Sequence, residues 1–175
     1  MQRFHSFKLN FPMKSSEQYK EVLLKYTSPA IADYIVQTFR DFEYQFIISS
    51  PRSSKHGDFR PPYGKINFHR ISVNGNLNEY SFFITFLHEL AHLKTWLKYK
   101  NRVKSHGTEW KFHFIELLEN AINRGFFPED IVNALKDHIT KVKSSTSYDY
   151  DLVKILNLHD SNVINDNLVE ISDLR

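Results

Sequence analysis

His88-Glu89-Leu90-Ala91-His92 is an H-E-x-x-H motif inside a run of apolar residues at helical spacing. Asn78 is a suitable N-cap, and the pattern predicts one long, deeply buried helix from there to about Lys100. Residues four apart lie on one helix face, about 6 Å apart along the axis, so both imidazoles can reach a single ion. The glutamate projects beside the pair, where it can act as a general base. The motif therefore predicts a metal site on a central helix.

A catalytic zinc site needs a third protein ligand and leaves a fourth position open. The metzincin continuation of the motif is missing, because Lys98 stands where its third histidine would be. His106 lies 14 residues after His92 and is followed by Gly107, just before a predicted helix start. Its position makes it the best candidate for the third ligand. Three glutamates of the next helix are alternative carboxylate ligands: Glu109, Glu116 and Glu119.

Composition limits the classes of protein that this chain can form. With 175 residues, 41% hydrophobic and 25% charged, the sequence predicts a single-domain globular protein and excludes disorder and fibrous repeats. Cysteine is absent, which excludes disulfides, thiol catalysis and cysteine-ligated metal sites. Any metal must therefore be bound by histidines and carboxylates. The net charge of +3 permits a nucleic-acid partner without requiring one.

The rest of the chain predicts a mostly helical α+β fold with a small β-sheet. The predicted elements are helices starting at Ser15 and Pro29, strands over residues 42–48 and 65–73 with a long loop over 49–63 between them, and helices starting at Asn78, Thr108, Pro128 and Asp151. We divide the chain into a domain over residues 1–143 and a C-terminal extension over residues 144–175.

Two motifs taken together resemble a known family. H-E-L-A-H at residues 88–92, followed by H-G-x-x-W at residues 106–110, resembles the SprT-like metalloprotease family, which includes the Spartan DNA–protein crosslink proteases. Residues 57–61 and 68–74 resemble a bacterial branch of it, and the resemblance covers roughly residues 15–160. It implies a zincin-like fold in which His88, His92 and His106 bind Zn²⁺. It also implies that Glu89 is the catalytic residue.

The resemblance implies a zinc-dependent metallopeptidase whose substrates are proteins or peptides, including proteins bound or crosslinked to DNA. In related zinc proteases a substrate strand pairs with a sheet edge, which the strand at residues 42–48 or 65–73 would offer. Many relatives carry a Cys-rich zinc ribbon that this chain lacks. One alternative is a DNA-associated binding module with a structural or inactive zinc site, which would not need Glu89. A metal hydrolase acting on another substrate is also open.

Basic and aromatic residues alternate between the second and third predicted metal ligands. The basic residues proposed to contact nucleic acid are Lys98, Lys100, Arg102 and Lys104, and the aromatic ones are Trp96 and Tyr99. This composition suits phosphate contact and stacking on the bases of single-stranded DNA. The alternative is a solvated helix end, where cations are favoured by the helix dipole.

The other histidines, and the location of the protein, have simpler interpretations. His69 and His113 are expected to have structural roles near the site. We expect the other four to be solvated: His5, His56, His138 and His159. Without a signal-peptide pattern or a long apolar run, we expect a cytoplasmic protein with no membrane partner. The sequence does not indicate an oligomeric state.

Overall fold

The computed structural model describes residues 16–144 and 150–160. Its elements are α1 (Ser16–Leu23), α2 (Pro29–Asp41), β1 (Tyr44–Ser49), β2 (Gly57–Arg60), β3 (His69–Asn74), α3 (Glu79–Tyr99), α4 (Thr108–Asn123), α5 (Glu129–Ser144) and α6 (Tyr150–Leu158). The predicted α+β class, mostly helical with a small sheet, is confirmed. Ser15, predicted to start the first helix, lies outside the described residues. No helix among those described is long and apolar enough to cross a bilayer.

Local signals define the boundaries of α3, which carries two of the predicted ligands, and of α4, which follows the third. The side chain of Asn78 caps α3 by accepting a hydrogen bond of 2.9 Å from the Ser81 amide. Helix α4 ends before Gly125, whose φ of +72° suits a residue without Cβ. At its other end Thr108 was predicted to be the cap, but Gly107 occupies the N-cap position and no side chain caps the helix. The residue that follows the third predicted ligand, Gly107, is therefore where the chain turns into α4.

The sheet contains a strand that was not predicted. The order is β1-β3-β2, with β1 parallel to β3 and β2 antiparallel to it. Residues 49–63 were predicted to be a loop, yet Gly57–Arg60 forms β2 within them, because its backbone pairs with the distant β3. The predicted strand over 65–73 begins only at His69. Since β3 is central, it cannot offer the edge that was expected of it, and β2 is the edge on its side.

Three phenylalanines of α3 form the centre of the core. Phe82, Phe83 and Phe86 are fully buried, and the ring of Phe46 from β1 packs edge-on against the first and third at 6.3 and 5.5 Å. Burying such side chains stabilises the fold by about 1.5–3 kcal/mol each. The central helix is therefore held against the sheet one to two turns before the H-E-x-x-H motif, so the motif sits on a rigid element.

Helix α6, from the predicted C-terminal extension, packs into the same core. Leu152 and Leu156 are buried with the side chains of α3 and α4. The side-chain amide of Asn78 donates a hydrogen bond of 2.9 Å to the Leu156 carbonyl oxygen. One asparagine thus caps α3 and holds α6 beside it. The division at residue 143 stays a prediction, and residues 145–149 and 161–175 lie outside the described residues.

Candidate metal centre

Three histidines from two parts of the chain meet at one point. His88 and His92 are one turn apart on α3, and His106 comes from the connection between α3 and α4. Their Nε2 atoms lie 3.3 Å apart for His88 and His92, 3.1 Å for His92 and His106, and 3.2 Å for His88 and His106. The three residues form a group that can bind a metal ion. None of the glutamates considered as the alternative third ligand belongs to this group.

The geometry of the three rings fits a cation better than a set of hydrogen bonds. In a neutral imidazole, each Nε2 either carries a hydrogen or presents a lone pair. Among three atoms in mutual contact, at least two must be in the same state, so at least one contact is repulsive. An ion about 2.0–2.1 Å from each nitrogen, the usual zinc–imidazole distance, can touch all three at this spacing. Three lone pairs directed at one cation remove the conflict.

Burial keeps these imidazoles neutral at pH 7. Together with smaller contributions from the neighbouring histidines, it lowers the pKa of His88 to about 3. It also lowers the pKa of His92 to about 4, with an added contribution from His106, whose own pKa is lowered by burial. A protonated imidazole cannot bind a metal, so the low pKa values leave the ligand nitrogens available.

Trp110 and Phe114 of α4 form the wall behind the histidines. The Trp110 ring centre lies 4.6 Å from the ring centres of both His88 and His106, and its indole N–H points to the His88 carbonyl oxygen at 3.4 Å. Phe114 stacks on Trp110 at 4.8 Å. The first turns of α4 thereby fix the ligand from the loop against the ligands from α3.

Glu89 is buried beside the three histidines, with 6% of its surface exposed. Burial raises the pKa of its carboxyl group to about 8, and the charge of Asp58 adds to the rise. The backbone N–H of Phe59 in β2 opposes the rise by donating a hydrogen bond to the carboxylate. A Cβ on Gly57 would lie 2.5 Å from the Glu89 Oε1 atom, so only glycine fits there. Strand β2 therefore positions this side chain.

Comparison with known protein families matches residues 30–128 to the SprT-like family. The chain belongs to the SprT-like family. No curated protein and no solved structure gives a significant match. The part of the chain that matches the SprT-like family runs from α2 to the residue before α5, so it includes the three histidines, Glu89 and Trp110. Helices α5 and α6 lie outside it.

The contribution of β2 to this SprT-like site could not be read from the chemistry of its residues. Gly57 and Phe59 carry no titratable group, and residues 57–61 were noticed only through their resemblance to other sequences. In the structure the Phe59 ring stacks on His92 at 6.3 Å and on His69 at 6.1 Å. His69 therefore supports the site through Phe59, as expected of a structural residue.

His113 lies apart from the three histidines. It is buried in α4, with its Nδ1 atom 3.6 Å from the Glu116 carboxylate, and Lys94 binds that carboxylate at 2.5 Å. It does not belong to the group of possible metal ligands. We call Lys94, His113 and Glu116 the ion-pair cluster. Glu116, which was an alternative third ligand, is therefore bound to Lys94 and not directed at the three histidines.

Two of the four histidines expected to be solvated are not. His138 of α5 is half-buried, with its ring 6.2 Å from that of Phe114, because α5 packs beside α4. His159 pairs with Asp130 at 2.7 Å, since the end of α6 lies beside the start of α5. His56 is exposed as predicted, and His5 lies outside the described residues.

The basic residues at the end of α3 are exposed and close to the metal centre. All four side chains predicted to contact nucleic acid are exposed: Lys98, Lys100, Arg102 and Lys104. Lys100 and Lys104 line a cavity of about 540 Å³ together with His92 and His106. Trp96 also lines this cavity and is half-buried, as is Tyr99. We call this space the basic cavity.

Proposed function

We propose that this SprT-like protein is a zinc-dependent metallopeptidase with a zincin-like site, in which Zn²⁺ is bound by His88, His92 and His106 and Glu89 is the catalytic carboxylate. The observation that carries the proposal is the convergence of three imidazole nitrogens beside a buried carboxylate. Structural zinc sites have four protein ligands, whereas catalytic ones have three and an open position. Among the described residues the group has three members, which supports a catalytic site.

A zinc ion in such a site lowers the pKa of water and polarises a carbonyl group. Glu89 accepts a proton from the attacking water while the oxygen of that water bonds to the carbonyl carbon of the substrate. When the carbon–nitrogen bond breaks, Glu89 delivers that proton to the leaving nitrogen. In the metal-free protein burial raises the pKa of Glu89 to about 8. The charge of a zinc ion bound by the three histidines would lower this pKa, so that the carboxylate could accept a proton near neutral pH.

We propose that the substrate backbone pairs with the outer edge of β2. This strand is at the edge of the sheet, and its inner edge is already paired with β3. Gly57 and Phe59 touch Glu89, so a chain lying along β2 passes next to the catalytic carboxylate. Edge strands commonly bind extended peptides in this way. β1, the other edge of the sheet, is separated from β2 by the whole of β3.

The peptidase proposal is tested by comparing the zinc-loaded wild type with Glu89→Gln and with Glu116→Gln as matched control. Substrates are a flexible protein and a DNA-binding protein, with and without DNA. We expect Glu89→Gln to keep its zinc and to lose at least about a hundredfold in hydrolysis, because glutamine cannot accept a proton. The control should hydrolyse the substrates nearly as well as wild type. Full activity in Glu89→Gln would contradict the proposal, and a wild type that binds DNA but hydrolyses nothing would favour the binding module.

We also propose that the exposed basic residues hold DNA, preferably single-stranded, beside the metal centre, so that proteins bound or crosslinked to DNA become substrates. The support is that Lys100 and Lys104 share the basic cavity with His92 and His106. Each phosphate contact releases counterions, so the affinity for single strands should fall with salt with a log–log slope of about −0.7 per contact. Trp96 and Tyr99 would add stacking on unpaired bases.

The DNA proposal is tested with a variant in which four basic residues become alanine, compared with a charge-matched control variant. The test variant replaces Lys98, Lys100, Arg102 and Lys104, and the control replaces Lys25, Lys65, Lys136 and Lys154. We expect weaker DNA binding and a flatter salt slope only in the test variant, with zinc content unchanged in both. An equal effect of both variants would show that the segment acts only through net charge.

A further inference from the structure

A second cavity, larger than the basic cavity, also borders the candidate metal centre. Its volume is about 780 Å³, and His88, Glu89 and His106 form part of its wall. The residues lining it from α6 are Leu152, Val153, Leu156 and Asn157. We call this space the α6 cavity. Among the described residues, those that line both cavities are Gly57, His88, Glu89 and His106.

Apolar atoms supply most of the surface of the α6 cavity. Trp110 and Phe114 line it from α4, Ile84 lines it from α3, and Leu152 and Leu156 line it from α6. Polar and charged residues also line it, among them Lys111, Asp160 and Lys55, which already pairs with Asp58 at 2.7 Å. A pocket of this size that combines apolar surface with polar groups is typical of a site for a specific ligand.

The position of the α6 cavity identifies its occupant. Consecutive residues of an extended peptide are about 3.3–3.6 Å apart, so a peptide with its reacting carbonyl at Glu89 places a neighbouring side chain within reach of the cavity. Glu89 and His88 line the same cavity as the apolar residues of α4 and α6. An apolar side chain gains free energy by leaving water for such a surface, whereas a charged one loses it.

We propose that the α6 cavity binds a large apolar side chain of the peptide substrate, next to the bond that is cleaved. This inference rests on the proposed peptidase function and adds a sequence preference to it. Helix α6 lies outside the residues that match the SprT-like family, so the part of the cavity that α6 lines is not part of that match. Burial of one leucine or phenylalanine side chain corresponds to a preference of roughly ten- to a hundredfold over serine.

The first experiment measures cleavage of a peptide library by the zinc-loaded protein, with cleavage sites identified by mass spectrometry. We expect leucine, phenylalanine, methionine and isoleucine to be enriched at one position beside the cleaved bond. Val153→Trp and Asn157→Trp fill the cavity from α6 and should shift the preference towards small residues. Leu158→Trp is the matched control, because this residue is exposed on the same helix and does not line the cavity. Asn157 is exposed, so its variant tests the proposal even if Val153→Trp does not fold.

The second experiment separates this inference from the peptidase proposal. Zinc-loaded Glu89→Gln is titrated with fluorescent peptides that differ only in one residue, phenylalanine or serine, and anisotropy reports binding. We expect the phenylalanine peptide to bind at least tenfold more tightly, and Asn157→Trp to remove the difference. Such binding in a protein whose wild type hydrolyses nothing would support the cavity and reject the peptidase. If the wild type hydrolyses peptides but neither cleavage nor binding shows a preference for apolar residues, the cavity proposal is overturned and the peptidase proposal stands.

Discussion

Helices α3 and α4 carry histidine and glutamate side chains in two places, with opposite electrostatics. At the candidate metal centre Glu89 is buried, and the nearby charges of Lys55 and Arg52 lower its pKa less than burial raises it. In the ion-pair cluster 53% of the Glu116 side chain is exposed, and Lys94 binds its carboxylate. Burial raises the pKa of Glu89, whereas the hydrogen bond from Lys94 lowers the pKa of Glu116. The same residue type therefore has a raised pKa in one place and a lowered pKa in the other.

The difference shows which cluster is built for a ligand. A carboxylate bound by lysine is satisfied within the protein and gains nothing from a metal ion or a substrate. A buried carboxylate beside three converging imidazoles is costly in the free protein and is compensated when a cation binds there. Residues that lower stability while creating reactivity are typical of functional sites. Comparing matched variants of the two clusters therefore tests the site directly.

Metal content should separate the two clusters most strongly. His88→Ala or His106→Ala removes one of three ligands, and we expect zinc to fall from about one ion per chain to nearly none. His113→Ala, in the ion-pair cluster, should leave the zinc content unchanged. Elemental analysis after dialysis against a weak chelator measures the content. Full zinc content in both ligand variants would show that the three histidines do not form the metal site.

The next largest effect should come from Gly57→Ala, which acts on Glu89 without touching a ligand. The new Cβ would lie 2.5 Å from the Glu89 Oε1 atom, so the carboxylate must move. We expect hydrolysis to fall at least about tenfold, because small displacements of a catalytic group are costly, while zinc is retained. Gly75→Ala is the matched control, since its Cβ would lie 2.9 Å from Ile48 in a place remote from the histidines. It should lower stability without a specific loss of activity, and equal losses in both variants would argue against a positioning role.

Sequence reasoning succeeded where local signals decide the structure. The cap at Asn78, the helical spacing of α3 and the i, i+4 histidines are all short-range features, and the structure brings His88 and His92 together as expected. The choice of His106 over the glutamates rested on its position before a glycine and a helix start. In the structure that loop returns to α3, held by Trp110.

The features that sequence reasoning missed depend on contacts between distant residues. β2 has four residues and is a strand because β3 pairs with it. The contact between Gly57 and Glu89 joins a strand to a helix, and neither residue indicates the other in the sequence. His138 was expected to be solvated because the sequence around it contains no other potential metal ligands in a suitable pattern, but packing against Phe114 places it in the wall of the α6 cavity. Tertiary packing overrides local pattern in each case.

The smallest effect, and the most direct test of the comparison, is the pH dependence of stability in the metal-free protein. The pKa of Glu89 is raised from 4.5 to about 8 in the folded state, so its stabilising contribution is complete below pH 4.5 and is lost as the pH rises to 8. The Glu89→Gln variant has no carboxyl group at this position, so it does not lose stability in this way as the pH rises. We therefore expect its free energy of unfolding to increase relative to wild type between pH 4.5 and 8. At about 1.4 kcal/mol per pKa unit, the difference reaches a few kcal/mol.

Glu116→Gln should change with pH in the opposite direction. The pKa of Glu116 is lowered by the hydrogen bond from Lys94, so its contribution is present above pH 4.5 and is lost as the pH falls. This variant should be less stable than wild type at pH 7 and should approach it in acid, by a smaller amount because the side chain is half exposed. Urea unfolding of the three metal-free proteins from pH 4 to 8.5 measures both differences, and the buried histidines, common to all three, cancel. Parallel curves for Glu89→Gln and wild type would mean that the buried carboxyl titrates normally, and the contrast between the two clusters would be lost.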